Sequence, residues 1–192
     1  MLGVMTSLLE LPVVREQVHR MSVDDYHKAG QTGVLSKNLE LLRGIIVTKM
    51  SKSPLHEFVV QRLIDALLVA VPAAFKVRKE GPLTLRDSEP EPDISVVRGR
   101  AEDWIDRHPS SAQLVIEVAI RSLPLDKSKA EIYAEAGVPE YWLVLPEGRT
   151  VEVYRQPSGE RYLSQQTLTE RDILQCASIA QVSIAIRDIL PA

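Results

Sequence analysis

Between residues 53 and 72 the apolar positions Leu55, Val59, Leu63, Ala66, Leu67 and Ala70 recur at helical spacing. Ser53 suits the N-cap, Pro54 suits the first helical position, and Pro72 ends the run. A second helix is expected over residues 126–136, starting near Asp126 and stopping at Gly137, which enters the left-handed region freely. A short one is expected over 22–29, capped by Ser22 with Asp24 and Asp25 in its first turn, and broken by Gly30 and Gly33.

Elsewhere the pattern predicts strands. Residues 39–49 read as two short strands around a turn at Arg43-Gly44. Residues 75–86 read as one or two more. In 92–97, Ile94 and Val96 share one face, with Asp93, Ser95 and Val97 on the other. Residues 99–112 are polar and loop-like. Residues 114–120 form a nearly continuous apolar run, the mark of a central strand buried on both faces. Strands over 140–145 and 150–155 pair across Pro146-Glu147-Gly148, a further strand follows Ser158-Gly159, and 182–190 is a last apolar segment. Residues 1–20 fit either a docked helix or a loose arm. The expected organisation is an N-terminal extension, 1–21, and one domain, 22–192. Its fold is α/β, a mixed sheet with helices packed on it.

The 192 residues are 45% hydrophobic and 26% charged, as in an ordinary globular domain. The formal charge of −3 is not that of a strongly basic nucleic-acid coat protein, although a local positive groove needs no net charge. Cys176 is the single cysteine, so no intrachain disulfide and no cysteine-built zinc site is expected. The longest apolar stretch, Leu63 to Phe75, is broken by Asp65 and Pro72, so no membrane span is expected. The N-terminus lacks the basic start of a signal peptide, and the protein is expected in the cytoplasm.

Glu117 sits in the middle of the apolar run 114–120. A carboxylate in a buried strand is costly unless it is paired or binds a metal. Two readings stand open: an ion pair with a Lys or Arg, or a metal ligand. Asp93 opens a strand directly after Glu89–Pro92. It fits a turn aspartate. It equally fits a second acid beside Glu117, if the two strands are neighbours. Two carboxylates so placed repel each other unless a cation lies between them. Oxygen ligands suit Mg²⁺, with Mn²⁺ as the alternative. Lys129 falls on one helical face with Ile132, Tyr133 and Ala136, where it either reaches the acids or snorkels to the helix edge. Two acids and a lysine suit phosphodiester hydrolysis: a cation activates water, and the lysine orients it or stabilises the transition state.

The segments EPDISVV and LVIEVAIRSLPLDKSKAEIYAEAGVPEYWLV resemble the Uma2 family, also known as domain-of-unknown-function family 820. LELLRG (39–44) resembles that family's Glu-Leu-Ile-Asp-Gly segment, and His56 falls where the family has a histidine opening its long helix. The likeness covers residues 22–190. It implies a restriction-endonuclease-like core, with Asp93 and Glu117 as metal ligands and nucleic acid, DNA in the first instance, as substrate. Two departures matter. Ala119 stands where the wider superfamily carries lysine, and Lys129 stands where this family supplies its lysine from the following helix, with Asp126 three residues before it and Tyr133 four after. Arg43 stands where the family usually has an acid, while Glu40 is retained, either as a further acidic contributor or simply as a strand-edge residue, and with His56 is a candidate additional site residue.

Arg98 and Arg100 follow the Asp93 strand, and Arg121 and Lys127 follow the Glu117 strand. They fit a positive rim that guides a phosphate backbone, or ordinary surface charge. No phosphate-binding loop, dinucleotide fingerprint or nucleophile elbow is present, and His56-Glu57 lacks the second histidine of a zinc protease. The expected activity is a Mg²⁺-dependent endonuclease, with a homodimer by analogy with two-fold nucleases. The competing readings are an inactive module that binds nucleic acid or protein, and an association surface built on Tyr141, Trp142 and Tyr154.

Overall fold

In the computed structural model residues 11–36 and 38–192 are described; the first part of the expected extension, residues 1–10, lies outside them. The elements in chain order are α1 (Pro12–Gln17), α2 (Val23–Gln31), β1 (Leu39–Leu42), β2 (Ile45–Thr48), α3 (Pro54–Ala70), β3 (Phe75–Lys79), β4 (Ile94–Arg98), β5 (Leu114–Val118), α4 (Leu123–Glu135), β6 (Glu140–Leu145), β7 (Thr150–Ser158), β8 (Arg161–Thr169), β9 (Ile173–Gln175), β10 (Ser183–Ala185) and α5 (Ile186–Ile189).

One six-stranded sheet, in the order β3-β4-β5-β6-β7-β8, organises them. Its strands are antiparallel except β5 and β6, which run parallel because α4 crosses between them. The expected mixed sheet flanked by helices is therefore present. Its central strands are buried along nearly their whole length, as a continuous apolar run requires. One face packs on α3 and α5 through Val59, Leu63, Leu67, Ile116, Val118 and Trp142. The other packs on α4 through Val115, Tyr133, Tyr141 and Leu143.

Local chemistry sets the element ends. The Ser53 hydroxyl accepts from the His56 N–H at 3.2 Å and starts α3 as expected. Arg43 and Gly44 both take positive φ, +49° and +76°, so β1 and β2 join through a tight two-residue turn. Gly44 also has no room for a side chain: a Cβ there would lie 2.6 Å from that of Arg20. Gly137, at φ +70°, ends α4.

The structure corrects two expectations and decides a third that was open. Helix α4 begins at Leu123, not Asp126, because Pro124 fits its first turn. Of the one or two strands expected over 75–86, one forms: Leu83 and Leu85 are buried, but Gly81 and Pro82 interrupt the ladder after β3. Tyr141, Trp142 and Tyr154 are 0%, 0% and 9% exposed, so they build the core and offer no association surface.

Candidate functional site

Strand register makes the site. Ile94 pairs with Ile116 across β4 and β5, so one step further along the ladder Asp93 comes beside Glu117. The Asp93 N–H donates to Glu117 Oε2 at 3.3 Å, and the Val118 N–H donates to Asp93 Oδ2 at 2.8 Å. Both acids line a cleft of about 300 Å³ between the loop leading into α3 and the turn between β5 and α4. The structure brings Asp93, Glu117, Glu40, His56 and Lys129 together in the lining of that cleft.

Lys129 is the buried ammonium. It lies 3.0 Å from Glu40 Oε1, 3.1 Å from Glu117 Oε1 and 3.7 Å from Asp126 Oδ1, with 5% of its side chain exposed. Glu40 comes from β1, and its other oxygen accepts the Glu91 N–H at 3.2 Å. His56 presents Nε2 3.0 Å from Asp93 Oδ2, while its Nδ1 is buried without a hydrogen-bond partner. The Tyr133 hydroxyl donates to Glu117 Oε1 at 2.9 Å.

Charge in the cleft is unbalanced. Glu40, Asp93, Glu117 and Asp126 are all buried, against one buried ammonium. Burial pushes the Glu117 carboxyl up. Lys129 pulls it back, Asp93, Asp126 and Glu40 push it up further, and the result is about 8. Asp126 is raised for the same leading reason. Burial disfavours the charged form of Lys129, but its carboxylate neighbours outweigh that and hold it above the ordinary lysine range.

A divalent cation fits this donor set. Asp93 Oδ2 is engaged by Val118 and His56, whereas Oδ1 has only the Lys52 ammonium, 3.9 Å away. Among the described residues no three His, Cys, Asp or Glu side chains form a ready cage. Mg²⁺ asks for less, since it keeps several waters and is held by one or two carboxylates plus substrate phosphate. An added positive charge would also offset the excess of buried acid.

The remaining candidates divide. Arg121 lines the cleft. Arg98 and Arg100 do not, because β4 runs antiparallel to β5 and carries Arg98 five residues away from Asp93, about 16 Å along the strand. Arg98 instead covers the Phe75 ring, 4.6 Å from its centroid. Lys127 points elsewhere and pairs with Glu152 at 2.9 Å. Sequence reasoning missed Lys52 and Lys49 in the cleft wall and did not give Asp126 its contact with Lys129. Asp126 carried a signal, its three-residue spacing from Lys129 on a helix. The loop lysines carried none.

A family model described as "Uma2: Putative restriction endonuclease" matches residues 24–187. Among solved structures, the fold is similar to that of a "putative nuclease belonging to DUF820" from Anabaena variabilis ATCC 29413. The TM-score is 0.72 at 19% identity, over 88% of this chain and 97% of that one. No curated protein matches the sequence.

Proposed function

From the premise that the chain belongs to the Uma2 family, we propose that it is a Mg²⁺-dependent endonuclease hydrolysing phosphodiester bonds of DNA. One observation carries the reading: two carboxylates on neighbouring strands share a cleft with a buried lysine.

Asp93 and Glu117 would hold the ion, which when bound supplies Lewis-acid charge and lowers the pKa of a coordinated water. The other roles belong to the chain's own residues. Glu40 and Asp126 fix Lys129 so that its ammonium stays beside Glu117, where it orients a water or meets charge growing on the phosphate. Tyr133 and the Asp93 N–H hold the Glu117 carboxylate in place. His56 and the Val118 N–H hold Asp93 Oδ2, leaving Oδ1 toward the cleft. By analogy with two-fold nucleases, in which two sites cut the two strands, the working unit in this reading is a homodimer.

Asp93→Asn tests the assignment, because an amide oxygen can still accept the Val118 N–H while the charge is lost. The variant is expected to stay folded and to lose metal-dependent cleavage. Cleavage equal to that of the wild type would sink the proposal. One observation favours a non-catalytic nucleic-acid- or protein-binding module instead. Both oxygens of Glu117 already accept hydrogen bonds within the protein, from Lys129, Tyr133 and the Asp93 N–H. Calorimetry with Mg²⁺ or Mn²⁺ separates the two: one site that Asp93→Asn removes supports the enzyme, and no binding with or without a DNA duplex supports the module.

A further inference from the structure

Lys129 approaches the acid pair from the buried side, held by three carboxylates. A second ammonium approaches from the open side. Lys52 lies in the loop between β2 and α3, next to the Ser53 cap, with 31% of its side chain exposed. Its Nζ is 2.8 Å from Glu80 Oε2 and 3.9 Å from Asp93 Oδ1. The second distance is too long for a hydrogen bond, so the ammonium stands over the Asp93 carboxylate without being committed to it.

Glu80 puts it there. Its φ is +50°, a region that a residue with a side chain enters only at some energetic cost. In that conformation the Glu80 N–H donates to the Asp93 carbonyl at 3.1 Å, tying the residue to the strand that carries the acid. The same residue thus braces the Asp93 backbone and aims Lys52 across the cleft. Lys79 braces the other Glu80 oxygen at 3.5 Å but does not line the cleft. On the opposite wall stands Arg121, which makes no ion pair among the described residues.

We infer that Lys52 binds substrate, holding a non-bridging oxygen of the DNA backbone at the Asp93–Glu117 pair, and that Glu80 is its positioning residue. This rests on the nuclease reading above. Lys129 is enclosed by three carboxylates on the buried side of the pair, so its part is the reacting water or the transition state rather than the first hold on the backbone. Lys52 can take that hold, because its flexible stem carries three donors and its present partner, Glu80, is itself at the surface.

The test compares wild type with K52M, K52R, K76M and E80Q, using binding of a short labelled DNA duplex across a KCl series and cleavage in Mg²⁺. K52M should reduce the steepness of log K against log salt by about 0.9, the loss of one phosphate contact. Its affinity should fall roughly 10- to 100-fold, the range for a lost charge-assisted bond. K52R, which keeps the charge, should keep the slope. K76M, on the exposed β3 lysine that neither lines the cleft nor touches Glu80, changes net charge equally and should alter neither quantity. E80Q leaves the amine in place but unaimed, so it should keep the slope and raise KM more than it lowers kcat. If wild type binds and cleaves while K52M matches it, or if K76M matches K52M, the role of Lys52 is overturned and the nuclease reading stands. An E80Q enzyme with wild-type KM overturns the positioning role. A wild-type protein that neither binds nor cleaves DNA overturns the nuclease reading together with the inference.

Discussion

Replacing Lys129 by Met removes the buried ammonium and roughly preserves side-chain volume. At an effective dielectric of about 20, charges at the separations found for Glu40 and Glu117, 3.0 and 3.1 Å, attract by about 5 kcal/mol each. Desolvation of the ammonium offsets much of that attraction in the wild type. In the variant the carboxylates stay buried with no countercharge, and breaking such a pair costs about 3–5 kcal/mol. For a domain of this size that is a fall in Tm of roughly 6–20 °C. The loss must depend on pH. Carboxyl groups without Lys129 take protons more readily, and Glu117 already sits near 8. A raised carboxyl favours the folded state below its ordinary value of 4.5, and that contribution fades as pH climbs to the raised value. Glu117 loses that contribution alike in both proteins up to about 8, but Asp126, which Lys129 also holds down, loses it further in the variant, so the deficit should shrink toward pH 4.5 and be largest at pH 8 and above. Urea denaturation in EDTA, followed by tryptophan fluorescence across that range, reads it directly. A variant as stable as wild type near pH 8, or a deficit flat with pH, would refute the view that this ammonium holds the acids together.

Three further outcomes follow from the same geometry. In EDTA the wild type should lose stability from about pH 4.5 to 8 because the folded chain keeps a proton on Glu117 that the unfolded chain has released. Glu117→Gln should flatten that slope in urea titrations, and an unchanged slope would place the titration elsewhere. Glu140 is fully buried and accepts from Arg155 at 2.9 and 3.0 Å, the Trp142 indole at 2.8 Å and the Ala177 N–H at 2.7 Å. Glu140→Ala should cost at least about 3 kcal/mol in equilibrium denaturation, and a loss under about 1 kcal/mol would contradict the network. Asp93→Asn, by contrast, should change Tm little while abolishing Mn²⁺ binding in calorimetry.

The acids were legible because each broke a local rule: Glu117 is charged within a run that must be buried, and Asp93 follows two prolines at a strand start. Lys129 was legible because helical periodicity places it among inward residues. The positive rim was misread at Arg98 and Arg100 because spacing along the chain does not say which way a strand runs, and β4 runs against β5. Lys52 and Glu80 were invisible for another reason. Both lie in connections whose course depends on what they pack against, and neither has a periodic neighbour to betray its direction. The start of α4 was available in Pro124 and was outweighed by Asp126 as the apparent cap.

The segment containing β9, β10 and α5 closes the core under α3. Leu174, Cys176, Ile179, Val182, Ile184, Ile186, Ile189 and Leu190 all pack in the cluster that Val59, Leu63 and Leu67 enter from α3. During synthesis, then, α3 leaves the ribosome more than a hundred residues before the partners of its apolar face. Until residues 174–190 follow, that face is uncovered on one side, open to chaperones and to other nascent chains. The site can be sketched earlier, since Glu40, Asp93, Glu117 and Lys129 all precede β6. The order of emergence thus separates the chemistry from the stability: the residues that crowd charge into the cleft arrive first, and those that complete the core against α3 arrive last.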